Sequence, residues 1–434
     1  MSKRVSRRDF VRGVGAATVG GAIVGGAGGF VVAPATREDT FRSSAGRGGT
    51  LRIGGLVPVT GAYSADGQEM RRGQEMAIAE INAGGGVLGS KLELVVADVA
   101  DIAPEKFING ARKLAQGDRT AALFGGYTSS TQAEFPAIAQ IGTPFFHANT
   151  LQADVDAVKK AGYTNIFETD PTERWYGPGF LSLAKNWIDS GVWKPKNRTI
   201  AVITTTDPYS TSISDSVRKS AKEHGWDISL YEQVTAPLAD WGPTLAKIRA
   251  NPPGLIFHAD YITGDLASFT KQFRSSPTPS LLFEQYGPSV PEYLDLTGDA
   301  ANGVLWSTVI GTIPDERGKA FMKQYREKYG AAAGLSQAGA QYDAVHLWAT
   351  AVRQVNDPYD FRAVSQAVLG ITHRGVSGGY TFVEGEQAAR QYPDQTRDAG
   401  LGMAHQTYQI QDRKHVLIAP EPYIQGEFQL PPWL

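Results

Sequence analysis

The sequence predicts an α/β protein with two doubly wound, parallel-sheet lobes. From Thr50 onward, short β-rich runs alternate with longer amphipathic stretches, beginning with LRIGGLVPV, GQEMRRGQEMAIAEIN and KLELVVADV. Strands that are separated by helices of about 10–15 residues indicate βαβ units and therefore a parallel sheet. The same alternation starts again at Arg198, with TIAVITTT, SISDSVRKSAKEHG and DISLYEQV. Two successive arrays of this kind predict two sheets, each covered by helices.

The composition is that of an ordinary globular protein and excludes several functions. The 434 residues are 42% hydrophobic and 20% charged, with a formal net charge of −2. That balance gives no sign of the basic face that nucleic-acid binding requires. The absence of cysteine excludes disulfides, thiolate metal sites, a cysteine nucleophile and a lipid-modified N-terminal cysteine. No histidine spacing of the H-E-x-x-H type is present, so we expect neither a metal nor another cofactor.

The first 35 residues predict an export signal that is not part of the fold. Residues 6–12 (SRRDFVR) match the twin-arginine signature, and a weakly apolar, Gly/Ala-rich stretch covers residues 13–32. Residues 33–35 (APA) form a small-x-small cleavage site. A membrane anchor is the alternative. The many glycines of this stretch disfavour a membrane-spanning helix, because each glycine costs about 1 kcal/mol relative to alanine in a helix interior. We expect a periplasmic protein, cleaved near Ala35, with residues 36–49 as a flexible leader.

Polar and aromatic side chains collect at the predicted strand ends. In open parallel sheets, ligands bind beyond the carboxyl ends of the strands. The residues found just after successive strands are Thr60, Tyr63, Tyr127, Thr128, Ser129, Ser130, Asn149, Thr150, Asp207, Tyr209, Asp260, Tyr261, Glu284, Gln285 and Tyr286. These positions are the candidates for a binding site.

Hydroxyl and amide groups after two neighbouring strands have two interpretations. Thr128 and Ser129 lie between a strand and the start of a helix, and Asn149 and Thr150 repeat this arrangement. Their side chains would cap free helix N–H groups. Alternatively, together with those N–H groups, they would bind a carboxylate or amide oxygen. The residues alone leave both interpretations open.

Glu284 and the aromatic residues are ambiguous in the same way. Glu284 follows an apolar strand, where it would face the cleft and receive a ligand ammonium or amide N–H. Alternatively, it would pair with a basic residue at the surface. The aromatic residues would wall a pocket with amphipathic rings, or would only pack between the lobes; they are Tyr63, Tyr127, Tyr209, Tyr261, Tyr286 and Trp175.

Two catalytic patterns lack the context that their chemistry needs. Gly84, Gly86 and Gly89 match a dinucleotide fingerprint, but they follow a helix and precede a strand, which reverses the required order. Residues 375–379 (GVSGG) match a nucleophile elbow around Ser377, yet a strand follows where a helix is needed. We therefore predict that the protein is not an enzyme.

The chain resembles the branched-chain amino acid and amide type (type I) periplasmic binding proteins. Residues 58–61 (PVTG), residues 81–89 (INAGGGVLG) and Asp98 correspond to hallmarks of that family. The segments GGYTSSTQ, PFFHANT, YDAV at 342–345 and VSGGYTFVEGEQ extend the likeness over nearly all of residues 50–434. The resemblance implies the periplasmic subunit of an ABC importer, which closes two lobes over a small polar solute without chemistry.

The resemblance also implies how the chain is divided between the lobes. Three crossover strands would join them, near residues 169–171, 308–311 and 376–381. One lobe would then comprise residues 50–170 plus 311–378. The other lobe would comprise residues 171–310 plus 379–434.

Roles for individual residues follow from the same resemblance. Thr128 and Thr150 would hold a ligand carboxylate, and the Ala148 carbonyl would accept a hydrogen bond from the ligand ammonium. Tyr209 and Tyr261 would contribute from the second lobe.

The acidic partner of the ammonium would be Glu284, unless the alignment slips to Gln285. Tyr127, Asn149 and Trp175 depart from the family's pattern and suggest a pocket unlike a simple aliphatic amino-acid site. The ligand is therefore left open among an amino acid, a short amide or urea, and a larger carboxylate.

The expected partners are a small-molecule ligand and the membrane permease of an ABC transporter, with the protein itself a monomer that binds no nucleic acid. A sensory amide- or amino-acid-binding protein of the same fold is the alternative, which the export signal disfavours. A secreted hydrolase is a third reading, motivated only by the pattern around Ser377.

Overall fold

The computed structural model describes residues 48–330 and 333–434. The predicted signal peptide and nearly all of the predicted leader lie outside these residues. Within the described part of the chain, no helix is both long and apolar enough to cross a bilayer.

The first sheet has five parallel strands in the spatial order β2-β1-β3-β4-β5. Its central strands are almost wholly apolar and buried, because helices cover both faces of a parallel sheet. The pairing aligns Gly125 at the end of β3 with His147 at the end of β4 and Glu168 at the end of β5. The strands are β1 Thr50–Val57, β2 Lys91–Asp98, β3 Leu123–Gly125, β4 Phe145–His147 and β5 Ile166–Glu168.

The second sheet has seven strands in the order β16-β15-β10-β9-β8-β6-β7. Five of them are parallel, and β15 and β16 add an antiparallel edge. These strands are β6 Thr199–Thr205, β7 Asp227–Val234, β8 Leu255–Ala259, β9 Leu281–Gln285, β10 Leu305–Thr308, β15 Gln406–Gln411 and β16 Lys414–Ala419. Two small ladders pair β11 His373–Arg374 with β12 Gly379–Tyr380, and β13 Gln391–Tyr392 with β14 Met403–Ala404.

The helices begin and end at residues that suit those positions. Asp207, Asp315 and Asp360 cap their helices by accepting from backbone N–H groups, and Gly142 and Gly162 end theirs in the left-handed conformation. The helices are α1 Ser64–Ala83, α2 Pro104–Arg112, α3 Phe135–Ile141, α4 Gln152–Ala161, α5 Tyr176–Asp189, α6 Pro208–Ser220, α7 Gly242–Ala250, α8 Thr263–Ser275, α9 Pro291–Thr297, α10 Glu316–Tyr329, α11 Gln337–Val355 and α12 Phe361–Gly370.

The chain passes from one sheet to the other and back. After β5 the next five strands belong to the second sheet, and after β10 the helix α11 packs against α1 beside the first sheet. Buried amide bonds hold that helix in place: Gln74 donates to Gln341 at 2.8 Å, and Gln341 donates to the Gly125 carbonyl at 2.8 Å. The chain then returns to the second sheet with β15. These features confirm the predicted α/β class with two parallel-sheet layers, whereas the lobe boundaries stay a prediction.

Candidate functional site

The carboxyl ends of both sheets border one cavity, as expected for parallel sheets. It contains about 640 Å³ of free space, counting solvent at its open side. The first sheet contributes residues that follow β1, β2, β3 and β4, and the second contributes residues that follow β6, β8, β9 and β10. The lining residues are Tyr63, Ile102, Tyr127, Thr128, Ser130, Ala148, Asn149, Thr150, Leu151, Asp207, Pro208, Tyr209, Tyr261, Tyr286, Ile310 and Gln337.

Most of the candidate residues lie around this cavity. Those that line it are Tyr63, Tyr127, Thr128, Ala148, Asn149, Thr150, Tyr209 and Tyr261. Four others do not line it, namely Ser129, Trp175, Glu284 and Gln285.

Glu284 does not face the cavity, and the expectation that it would is wrong. Its carboxylate is fully buried and accepts hydrogen bonds of 2.6 Å from the hydroxyls of Thr270 and Tyr293. The physical reason is the position in the strand: β9 continues to Gln285, so Glu284 lies inside it, and its side chain contacts helix α8. Burial raises the pKa of Glu284 to about 8. A mostly protonated structural carboxyl is a poor partner for an ammonium.

The other three absent candidates have structural contacts. Both the backbone N–H and the hydroxyl of Ser129 donate to Glu134. The Gln285 amide does not line the cavity, but it donates at 3.4 Å to the hydroxyl of Tyr209, which does line it. The Arg174 guanidinium lies over the Trp175 ring, with 5.0 Å between the guanidinium carbon and the ring centroid.

The polar side of the cavity is a closed hydrogen-bond network. The Thr128 hydroxyl donates to Asp154 at 2.8 Å and accepts from the Asn149 amide at 2.8 Å. The same amide also donates to Asp154 at 2.8 Å. The Thr150 N–H donates to Glu168 at 3.1 Å, from a residue whose φ of 57° is uncommon outside glycine. The Thr128 hydroxyl and the Thr150 N–H thus donate to buried acids.

His147 lies beneath this network among carboxyl groups. Its Nδ1 lies 3.4 Å from Glu168 and 3.8 Å from Asp154. Burial opposes the charged imidazole, but the neighbouring carboxylates outweigh burial and raise the pKa of His147. Burial also opposes ionisation of Glu168, but the attraction of His147 outweighs it and lowers the pKa of Glu168. Burial raises the pKa of Asp154 to about 7, and it raises that of Asp170 well above the usual range.

The same three groups are also a possible metal site. Donor atoms of His147, Asp154 and Glu168 all lie within 4.8 Å of one another. One nitrogen and two carboxylate oxygens suit a borderline divalent cation. The neighbouring carboxylates raise the pKa of His147 despite its burial, so a metal would compete with a proton at this imidazole.

The opposite side of the cavity is aromatic. The Tyr63 ring stacks on that of Tyr261 at 6.3 Å between centroids, with 15° between the planes. Tyr63 meets Tyr127 edge-on at 5.9 Å, and Tyr261 meets Tyr209 edge-on at 5.7 Å. Tyr127 and Tyr286 both donate from their hydroxyls to Asp66. Rings that follow strands of both sheets therefore meet across the cavity.

Three further candidates that follow strands also line the cavity, namely Ser130, Asp207 and Tyr286. Other lining residues, among them Ile310 and Gln337, were not selected from the sequence. Ile310 follows β10 in the same way. Gln337 begins α11, far along the chain from its partner, and donates to the Ala148 carbonyl at 3.3 Å. No local pattern marks such a contact.

The hydrolase pattern has a structural explanation. Ser377 is fully buried, and the backbone N–H groups of Val376 and Ser377 donate to Asp343 at 2.8 and 2.7 Å. The Tyr380 hydroxyl donates to the same carboxylate at 2.9 Å. The glycine-rich turn thus wraps a buried acid on α11, and burial raises the pKa of that acid to about 7.

Comparisons with known proteins agree with this architecture. A solved structure of a putative branched-chain amino acid ABC transporter from Silicibacter pomeroyi is 39% identical and covers 89% of this chain and 100% of that one, with a TM-score of 0.83. An isoleucine-bound branched-chain amino acid transporter substrate-binding protein from Streptococcus pneumoniae shares the fold, at 20% identity, coverage of 86% and 100%, and a TM-score of 0.68.

A curated relative, the Leu/Ile/Val-binding protein homolog 7 of Brucella suis biovar 1 (strain 1330), is 24% identical over 389 residues, or 88% of this chain and 94% of its own length. The family model described as "Periplasmic binding protein" matches residues 50–393. Two α/β sheets whose strand ends share one cavity are what a solute-binding protein requires, and this chain belongs to the periplasmic binding protein family.

Proposed function

We propose that this protein is the periplasmic solute-binding subunit of an ABC importer and captures an amino-acid-type or related small polar solute between two lobes. The observation that carries the proposal is the single cavity lined by strand ends of both sheets. A solute that contacts both sides favours the closed arrangement and passes to a membrane permease when the lobes reopen. The similarity to branched-chain amino acid transporter components supports the same function.

Direct contacts across the cavity support closure by the lobes. The Tyr286 hydroxyl, beyond the second sheet, donates to Asp66 on α1 at 3.3 Å. The Tyr63 and Tyr261 hydroxyls lie 3.5 Å apart. A solute that bridges the two sides adds to these contacts and thereby favours the closed arrangement. We place the lobe boundaries at residues 50–170 plus 311–378 and 171–310 plus 379–434.

Solute binding is testable by thermal shift and calorimetry with amino acids, short amides and urea, and aromatic carboxylates. A solute at 100 times its Kd stabilises the folded protein by about 2.7 kcal/mol. Small-angle X-ray scattering should show a smaller radius of gyration in the presence of the same solute, because the lobes close. Replacement of Tyr209 by alanine should abolish binding, because its ring lines the cavity. Tyr231→Ala, on the partly exposed strand β7 of the same sheet, is the matched control and should bind normally.

Different outcomes separate the function classes. Solute binding without closure would favour a sensory role over transport, and turnover of any ester or amide would contradict a binding function. If no solute binds, mass spectrometry of the supernatant from the denatured protein shows whether a ligand was co-purified with it.

We also propose export by the twin-arginine route, on the basis of residues 6–12 alone. Conservative replacement of Arg7 and Arg8 together by lysine should retain the protein in the cytoplasm as an uncleaved precursor. The matched control exchanges the two basic residues nearby, as Lys3→Arg together with Arg4→Lys, and should leave export unchanged.

A further inference from the structure

The charge of the cavity wall indicates which solutes it accepts. Among the described residues that line the cavity, none is lysine, arginine or histidine, and one, Asp207, is acidic. Behind the wall, Asp66 accepts from the hydroxyls of Tyr127 and Tyr286, and burial raises the pKa of this carboxyl, so Asp207 is the acidic group that faces the cavity. A cavity walled in this way favours positive charge, because negative charges at close range stabilise a cation in a desolvated site.

The donors that would hold a carboxylate are already engaged. The Thr128 hydroxyl donates to Asp154, and the Thr150 N–H donates to Glu168. A ligand carboxylate at these positions would take its hydrogen bonds from groups that serve buried acids. On the acceptor side, the buried Oε1 of Gln337 has no hydrogen-bond partner within the described residues. The polar side of the cavity therefore suits a ligand that donates hydrogen bonds or carries positive charge.

The tyrosines supply the complementary surface. Tyr63 and Tyr261 lie nearly parallel, and Tyr127 and Tyr209 meet them at 68° and 87°. The four rings thus form two corners, one from each side of the cavity. The face of an aromatic ring carries partial negative charge and attracts alkylated ammonium groups, which bury methyl groups and charge together.

We propose that the solute is an alkylated ammonium compound whose cationic group lies against the rings of Tyr63, Tyr209 and Tyr261, with Asp207 as the acidic residue of the cavity wall. This inference rests on the proposed function and names the substrate class of the same cavity. An uncharged group of the same shape would gain the hydrophobic contact with the rings but not the electrostatic attraction.

The test compares solutes that carry a trimethylammonium group with isosteres that carry a tert-butyl group, by isothermal titration calorimetry of the purified full chain. The cation choline is matched with the neutral 3,3-dimethylbutan-1-ol, and the zwitterion glycine betaine is matched with the anion 3,3-dimethylbutanoate; each pair differs by N⁺ against carbon. We expect at least one trimethylammonium solute to bind about tenfold or more tightly than its isostere, the size of effect that a desolvated cation–π contact provides. Leucine and isoleucine are titrated in parallel.

Variants separate the ring from its hydroxyl. Tyr261→Phe retains the ring and should preserve most of the preference for the cation, whereas Tyr261→Leu should abolish that preference. Asp207→Asn, which retains a side chain able to cap its helix, should weaken binding of the trimethylammonium solute and leave its tert-butyl isostere unaffected. Tyr231→Leu is the control variant outside the cavity and should leave the preference unchanged.

The outcomes distinguish this inference from the proposed function. Binding of leucine or an amide without any preference for the trimethylammonium solutes would overturn the inference and leave the binding function intact. Equal affinity for a trimethylammonium solute and its isostere would also overturn it. Failure of every solute to bind a ligand-free preparation would overturn both.

Discussion

Two buried histidines, one in each sheet, have opposite electrostatic surroundings. His147 ends β4 of the first sheet, and His258 lies at the corresponding end of β8 in the second; both are fully buried. His147 lies among carboxylates, which raise its pKa despite its burial. His258 packs against the rings of Trp241 and Phe269, with centroids 4.8 and 4.6 Å away, and burial lowers its pKa to about 3.

The difference shows how two sheets of one topology perform different tasks at the cavity. The first sheet ends in a charged network that orients Thr128, Asn149 and Thr150 from below. At the second sheet, aromatic rings enclose the ligand space beside Asp207, and Glu284 bonds away from the cavity. The same residue type therefore has a raised pKa in one sheet and a lowered pKa in the other.

Replacement of each histidine by leucine should give the largest contrast. His147→Leu leaves buried carboxylates without their cation, and removing one partner from a buried charge cluster costs about 3–5 kcal/mol. His258→Leu exchanges a ring that has no hydrogen-bond partner among the described residues, with Asp260 3.9 Å from its Nε2, for an apolar group and should change stability by less than about 1 kcal/mol. Urea denaturation measures both free energies of unfolding; equal losses would refute the assigned difference in charge.

The pH dependence of stability should differ in sign between the two histidines. The folded-state pKa of His147 is raised, so its contribution is fully present below about pH 6.5, the unfolded value, and is lost as pH rises through the folded value. The folded-state pKa of His258 is about 3, so the protein loses stability as pH falls from about 6.5 toward 3, by up to about 1.4 kcal/mol per unit.

Unfolding midpoints from pH 3 to 8 for His147→Gln and His258→Gln test this statement. The first substitution should remove a loss of stability at high pH, and the second should remove one at low pH. Parallel curves for the two variants would contradict it.

Glu284→Gln sharpens the comparison within the second sheet. Because the folded-state pKa of Glu284 is about 8 and thus above its ordinary value, the folded protein retains this proton, and stability falls as pH rises from about 4.5 to about 8. Glutamine should flatten this fall, by up to about 1.4 kcal/mol per pH unit. Solute affinity should be unchanged, since the side chain does not line the cavity; a loss of affinity of tenfold or more would return Glu284 to the site.

Tyr286→Phe should have the smallest effect. It removes the 3.3 Å hydrogen bond to Asp66 that links the two sides of the cavity. A single hydrogen bond contributes about 0.5–1.5 kcal/mol, so solute affinity should fall by about tenfold at most. Calorimetry measures this change, and Tyr293→Phe is a control, because Tyr293 lies on α9 and donates to Glu284 outside the cavity. A loss of binding in the control alone would contradict the assignment.

Much of the cavity was predictable from strand ends. Tyr63, Tyr127, Asn149 and Tyr261 follow parallel strands, and parallel strands present their carboxyl ends at one edge. Glu284 was misplaced because the end of a strand is uncertain by a residue or so, and one step along a strand turns a side chain to the other face. Gln337 was missed because its contact with Ala148 joins distant parts of the chain.

The sequence by itself determined the alternation of strands and helices and the polar and aromatic residues at strand ends, since these depend on short-range periodicity. Only the tertiary structure decided that the Thr128 hydroxyl donates to Asp154, that the pKa of His147 is raised while that of His258 is lowered, and that four tyrosine rings form two corners. Electrostatic energies depend on distances between groups far apart in the chain and on their burial, and neither quantity exists until the lobes are folded.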